Sequence, residues 1–127
     1  MRLFITLAVL CSACAANSNN GNGKVQVDVH DIRPGVWYCV PIEGRQAPYA
    51  PCYETEADCM NNRYRAVAHG LEVGDCAQQN KVFCFQTTDS EDRSVDRHCL
   101  ATAEYCRGAQ QRALNQGYQV TDCVSSR

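Results

Sequence analysis

The sequence predicts an α+β fold of two tandem, small, disulfide-rich ββα-type repeats, and three observations carry that expectation. The chain has 127 residues, of which ten are cysteines, a density that marks small exported domains rather than cytosolic ones. Eight of the cysteines fall into two matched sets, 39, 52, 59, 76 and 84, 99, 106, 123. Residues 52–76 and 99–123 then align without a gap at an offset of 47, with identities at Cys52/Cys99, Thr55/Thr102, Cys59/Cys106, Arg65/Arg112, Ala66/Ala113, Gly70/Gly117, Val73/Val120, Asp75/Asp122 and Cys76/Cys123. A period near 45 residues is the signature of a duplicated unit.

The N-terminus reads as an export signal over residues 1–14. Met1-Arg2 is a short basic start, residues 3–10 form an apolar run interrupted by Thr6, and small residues follow at Ser12, Ala13, Ala15 and Ala16. That run is too short to span a hydrocarbon layer of ~30 Å. Two processing routes are open. Ala13-Cys14-Ala15 fits an ordinary signal peptidase, whereas Leu10-Cys11-Ser12-Ala13-Cys14 is similar to a bacterial lipobox, in which Cys14 is acylated and becomes the new N-terminus. The position three before Cys14 is Cys11 rather than the usual Leu. Residues 15–34 are expected to form a polar tether, because Asn17 to Lys24 carries no apolar residue and cannot bury enough surface to fold. A tether fits a chain held at its far end.

Each repeat, residues 35–80 and 81–127, parses in the same way. A β-rich run (36–40; 81–86) leads through a loop to a second strand ending at Cys52 or Cys99. Thr55 and Thr102 stand where an N-cap hydroxyl accepts an orphan helix N–H. Glu56, Asp58 and Glu104 suit the positive end of a helix dipole. Cys59, Arg63, Ala66 and Gly70 recur at helical spacing, as do Cys106, Gln110, Ala113 and Gly117. The paired glycines fit the left-handed residue just past a helix end.

Four cysteines per repeat allow three pairings. A helix over 56–69 is ~21 Å long, and the six residues 71–76 reach back ~20 Å when extended. That return brings Cys76 near the helix start and favours Cys52–Cys76 with Cys39–Cys59, copied as Cys99–Cys123 with Cys84–Cys106. A unit of this size barely sustains a core without such bridges.

The remaining residues exclude more chemistry than they propose. Lys+Arg 12 against Asp+Glu 14 gives a net charge of -2, which argues against nucleic acid as a partner. Metal is not expected, since no C-x2-C or H-x3-H spacing occurs beyond the signal segment. The acidic stretch Asp89-Ser90-Glu91-Asp92 lacks the glycine and terminal Glu of a calcium loop and reads as a solvated hairpin tip. His30, His69 and His98 have no serine or free cysteine at a recognisable spacing, so no catalytic residue and no cofactor site is expected. Trp37, Tyr38, Tyr49 and Tyr53 admit two readings, an aromatic contact surface or the core. The loops differ most between the repeats: residues 41–51 hold three prolines and Arg45, whereas residues 87–98 are polar and charged. A common framework with unlike loops is what a binding scaffold shows.

The lipobox-like leader, the polar spacer, and repeats of the form Phe-Cys…Cys-x-x-Thr-x-x-x-Cys-x-x-x-x-x-Arg…Gly-x-x-x-x-x-Cys resemble the small cysteine-rich repeat lipoproteins of surface-living myxobacteria. The resemblance covers residues 36–124 and rests on the cysteine spacing with Thr55/Thr102 and Gly70/Gly117. It implies a place, an outer-membrane or cell-surface lipoprotein, and no activity. The expected function is a non-enzymatic exported interaction module of the cell envelope, held to the membrane through a lipid on Cys14 and binding a protein or cell-surface partner. Release into the periplasm or medium is the other expected location. The alternative function is a secreted inhibitor or toxin-like protein that presents Arg45 on a proline-stiffened loop.

Overall fold

The computed structural model describes residues 31–44 and 48–127. The expected signal segment, Cys14, most of the tether, His30 and Arg45 lie outside the described residues.

The chain opens with β1 (Trp37–Cys39), which pairs antiparallel with β4 (Cys52–Tyr53) on one side and with β6 (Ala77–Gln79) on the other. Val40 and Pro41 separate β1 from β2 (Ile42–Glu43), which is flanked by β3 (Pro48–Tyr49) and β5 (Glu72–Val73). Further along, β7 (Phe83–Thr88) is one unbroken six-residue strand. It pairs with β8 (Val95–Leu100), with β9 (Gln119–Val120) and with β10 (Val124–Ser125). Pro41 accounts for the difference. It has no N–H to donate to a ladder, whereas Gln86 at the corresponding place donates its N–H to Thr121 Oγ1 at 2.8 Å. Both residues still accept across the gap, Pro41 O from Gly74 N at 2.8 Å and Gln86 O from Thr121 N at 3.0 Å.

The helices stand where the sequence places them. In α1 (Glu56–Ala68) the Thr55 hydroxyl accepts from Asp58 N, and in α2 (Ala103–Asn115) the Thr102 hydroxyl accepts from Tyr105 N. Helix α1 is one residue shorter than the expected 56–69, because His69 is its C-cap. Gly70 and Gly117 follow the caps with φ of 76° and 90°. Leu71 N–H returns to Ala66 O at 3.1 Å and Gly70 N–H to Val67 O at 2.9 Å; Tyr118 and Gly117 repeat both bonds on Ala113 and Leu114. This paired closure needs a left-handed residue, which glycine adopts without a Cβ clash.

All eight cysteines of the two matched sets form disulfides, but the pairing differs from the one expected. Cys39 joins Cys52, Cys59 joins Cys76, Cys84 joins Cys99 and Cys106 joins Cys123. The four expected pairs, Cys39–Cys59, Cys52–Cys76, Cys84–Cys106 and Cys99–Cys123, are therefore corrected. Strand register is the cause. Cys39 lies directly opposite Cys52, and Cys84 opposite Cys99, with Cα atoms 4.0 and 4.1 Å apart, close to the narrow pair type of an antiparallel ladder. The returning chain lies on the other side of β1, with Ala77 opposite Cys39. Cys76 thus reaches the helix start, as the length argument required, but meets Cys59 in the first turn at a Cα separation of 6.2 Å.

Three buried clusters organise the interior. Val40, Ile42, Cys59 and Ala66 pack beneath α1. Phe85, Leu100 and Cys106 pack beneath α2. The third holds Ile32, Trp37, Cys39, Cys52, Val82, Cys84 and Cys99, drawn from both sets of strands. Trp37 belongs to this shared core, and its indole N–H donates to Arg33 O at 2.9 Å. The two sets also meet edge to edge, through an antiparallel bridge between Pro51 and Leu100 and a bond from Ala101 N to Ala50 O at 2.9 Å.

Candidate functional site

Where β3 and β4 diverge from β8, a cleft of about 720 Å³ opens between them and α2. Side chains alternate across a strand, and register partners share a face. Phe85 faces His98 and Thr87 faces Asp96, so these four side chains lie on one face of the β7–β8 hairpin. Phe85 is buried and forms the floor. The His98 ring stacks on it, with centroids 5.1 Å apart and planes 28° from parallel. Thr87 Oγ1 and His98 Nε2 share a hydrogen bond at 3.0 Å. Stacking and hydrogen bond together fix the ring plane.

Burial of the ring pushes His98 below the ordinary histidine pKa, with the carboxylate of Asp96 pulling the other way. The imidazole is therefore uncharged at neutral pH, although the residue keeps contact with solvent. Thr87, at 6% exposure, is an internal partner of the ring and is poorly placed as a nucleophile.

Helix α2 supplies one wall. Ala109, Arg112, Ala113 and Gln116 recur at helical spacing along the lining. Tyr49 on β3 and Tyr53 on β4 supply the other wall. The Arg112 guanidinium carbon sits 5.7 Å from the centroid of the Tyr49 ring, a cation–π contact that ties the two walls together. Burial, reinforced by the neighbouring Tyr49, pushes the Tyr53 phenol above its usual pKa, so it stays a hydrogen-bond donor. Tyr118, beyond the end of α2, completes the aromatic set.

Of the residues singled out in the sequence, Cys52 and Cys99 back the cleft, and Tyr49, Tyr53 and His98 line it. The stretch 89–92 is a hairpin tip, where the Asp89 carboxylate accepts from Glu91 N at 2.7 Å and Asp92 accepts from Ser94 N at 2.8 Å. Among the described residues, no group of three or more His, Cys, Asp and Glu side chains converges as a metal site. Sequence reasoning missed Thr87, Asp96, Arg112 and Tyr118 as parts of one site. Pairing Cys84 with Cys99 would have exposed the first two, since counting outward from that pair places 85 against 98 and 87 against 96.

No family model, curated protein or solved structure matches the chain.

Proposed function

We propose that the protein is a non-enzymatic, exported interaction module of the cell envelope, anchored through an acylated Cys14, and that it binds its partner in the cleft between β3–β4, β8 and α2. The observation that carries this reading is the lining itself. A stacked and hydrogen-bonded His98, aromatic walls and the Arg112 guanidinium converge on one open concavity, the usual arrangement of a ligand site. Four disulfides fit an oxidising compartment, periplasmic or extracellular. No helix among the described residues is long and apolar enough to cross a membrane; the anchor in this reading is the lipid on Cys14.

The module is read as a duplication. Cys39 opposes Cys52 as Cys84 opposes Cys99, and Ile42 opposes Val73 as Thr87 opposes Val120. Capping threonines and closing glycines correspond as well. The two copies differ where the cleft is built: Thr87 and His98 stand where the first copy has Ile42 and Pro51. Divergence of that kind converts one framework position from packing to recognition.

The experiment is a screen of the mature protein against saccharide and peptide arrays, repeated with His98→Ala and Tyr49→Ala after circular dichroism has shown both to be folded. Binding weakened at least tenfold by both substitutions supports the reading. Binding that ignores both, or no binding to any class, overturns it.

A further inference from the structure

We propose that the cleft takes a neutral saccharide, a short oligosaccharide that stacks a pyranose ring on His98 and shares its hydroxyls between Asp96 and Arg112. The inference rests on the cleft being the binding site and adds the chemistry of its occupant. Charge is the first argument. The β7–β8 register pairs Arg97 with Gln86, on the face away from Asp96 and His98, and its guanidinium donates to Asp31 O at 2.8 Å. The cleft therefore holds one guanidinium, Arg112, against one carboxylate, Asp96, with His98 uncharged. A ligand of either charge meets one attraction and one repulsion there, so recognition falls to hydrogen bonds and stacking.

The polar groups make the second argument. Among the described residues the ion pair found is Arg63 with Asp75, away from the cleft. Within the described residues, neither the Asp96 carboxylate nor the Arg112 guanidinium has a hydrogen-bond partner, and Arg112 rests over Tyr49. An ionised carboxylate only accepts and a guanidinium only donates. A hydroxyl donates to the first and accepts from the second, and adjacent ring hydroxyls do so in pairs. Gln116 adds an amide with both kinds of group. A flat apolar ligand would cover these groups and leave them unsatisfied, at a desolvation cost.

Shape is the third argument. The His98 ring lies on the buried Phe85 and is held by Thr87, while the residue stays exposed, so its outer face is a fixed platform. Tyr49 and Tyr53 pack against the buried cluster beneath α1 and line the cleft with their remaining surface. Rigid apolar faces with polar edges suit the C–H face of a pyranose and its hydroxyl rim together. The volume of about 720 Å³ admits a di- or trisaccharide.

A peptide occupant is disfavoured at the same place. An added strand needs a free edge, but β3 begins with Pro48, which has no N–H to offer. The edge of β8 carries Asp96 and Arg97 and leads from a charged tip, the usual means of blocking edge pairing. Nucleic acid needs more phosphate-neutralising cations than one.

The test is calorimetric titration of the full mature protein with neutral trisaccharides of glucose, galactose, mannose and N-acetylglucosamine, with trigalacturonate, and with an uncharged tripeptide. At least one neutral trisaccharide is expected to bind at least tenfold more tightly than trigalacturonate and the peptide. Raising salt should leave that binding unchanged, whereas Asp96→Asn and Arg112→Gln should each weaken it at least fivefold. Arg107→Gln, exposed on α2 outside the lining, should leave it unchanged. Failure of every neutral trisaccharide to bind, preference for trigalacturonate or the peptide, or indifference to both Asp96→Asn and Arg112→Gln overturns the neutral-saccharide assignment. If that outcome comes with an array ligand whose binding is sensitive to His98→Ala, the cleft reading stands; if the arrays yield no His98-dependent ligand, both fall.

Discussion

Removing the Cys106–Cys123 bridge with the double substitution Cys106→Ala/Cys123→Ala perturbs the covalent tie that holds α2 against β7 and β9. The bridge closes a segment of sequence separation 17. In the chain-entropy model, a loop of that length lowers stability by about 3 kcal/mol when the bond is lost, because the unfolded chain regains its freedom. Cys106 is fully buried, so exchanging sulfur for hydrogen adds a packing loss of about 1 kcal/mol. The assay is urea unfolding of oxidised protein, followed by far-ultraviolet circular dichroism, with both midpoint and slope recorded. Cys59→Ala/Cys76→Ala closes the same separation of 17 around an equally buried Cys59 and should lose a similar amount. A loss under about 1 kcal/mol for both double variants would refute the reasoning, since the bridges would then close nothing that the remaining fold does not already hold.

Gly74→Ala should destabilise by about 1–3 kcal/mol, because a Cβ there would meet Pro41 Cγ at 2.5 Å; thermal unfolding reads it. Gly117→Ala places an L side chain at φ 90° and should lose about 1–2 kcal/mol in the same measurement. Thr102→Ala removes the acceptor for Tyr105 N and should lose about 1 kcal/mol. His98 titrates below its unfolded value of 6.5 in the folded chain, so the unfolded state binds its proton first as pH falls. Its contribution is full above that value and is lost as pH falls through the folded pKa. Urea midpoints measured down the pH scale should show this decline in the wild type and a flatter profile in His98→Gln.

The elements with a local signal were legible in the sequence. Thr55 and Thr102 as caps, Gly70 and Gly117 as left-handed closures, and Asp89 to Asp92 as a hairpin tip all follow from short-range chemistry that needs no partner far along the chain. The α+β class followed from the same signals. The pairing of the cysteines did not, because reach alone brings Cys76 to a helix start where both Cys52 and Cys59 are at hand. Only the hairpin register, with Cys39 opposite Cys52, removes one of them. Strands β5, β9 and β10 have two residues each and β6 three, too short to show any period. The cleft was least legible of all. Tyr49 and Arg112 meet across 63 positions of chain, and nothing local in either segment announces the contact.

The register that places Cys84 opposite Cys99 also brings Phe85, Thr87, Asp96 and His98 to one face, so disulfide mapping of the oxidised mature protein tests the account most directly. Trypsin alone leaves Cys52 with Cys59, and Cys99 with Cys106, on single peptides, because no Lys or Arg lies between them. A glutamate-specific protease separates them after Glu54, Glu56 and Glu104. Mass spectrometry of the combined digest should then find Cys39 linked to Cys52, Cys59 to Cys76, Cys84 to Cys99 and Cys106 to Cys123. A fragment joining Cys84 to Cys106 or Cys99 to Cys123, or any bond between the two sets, would contradict the register and the cleft built upon it.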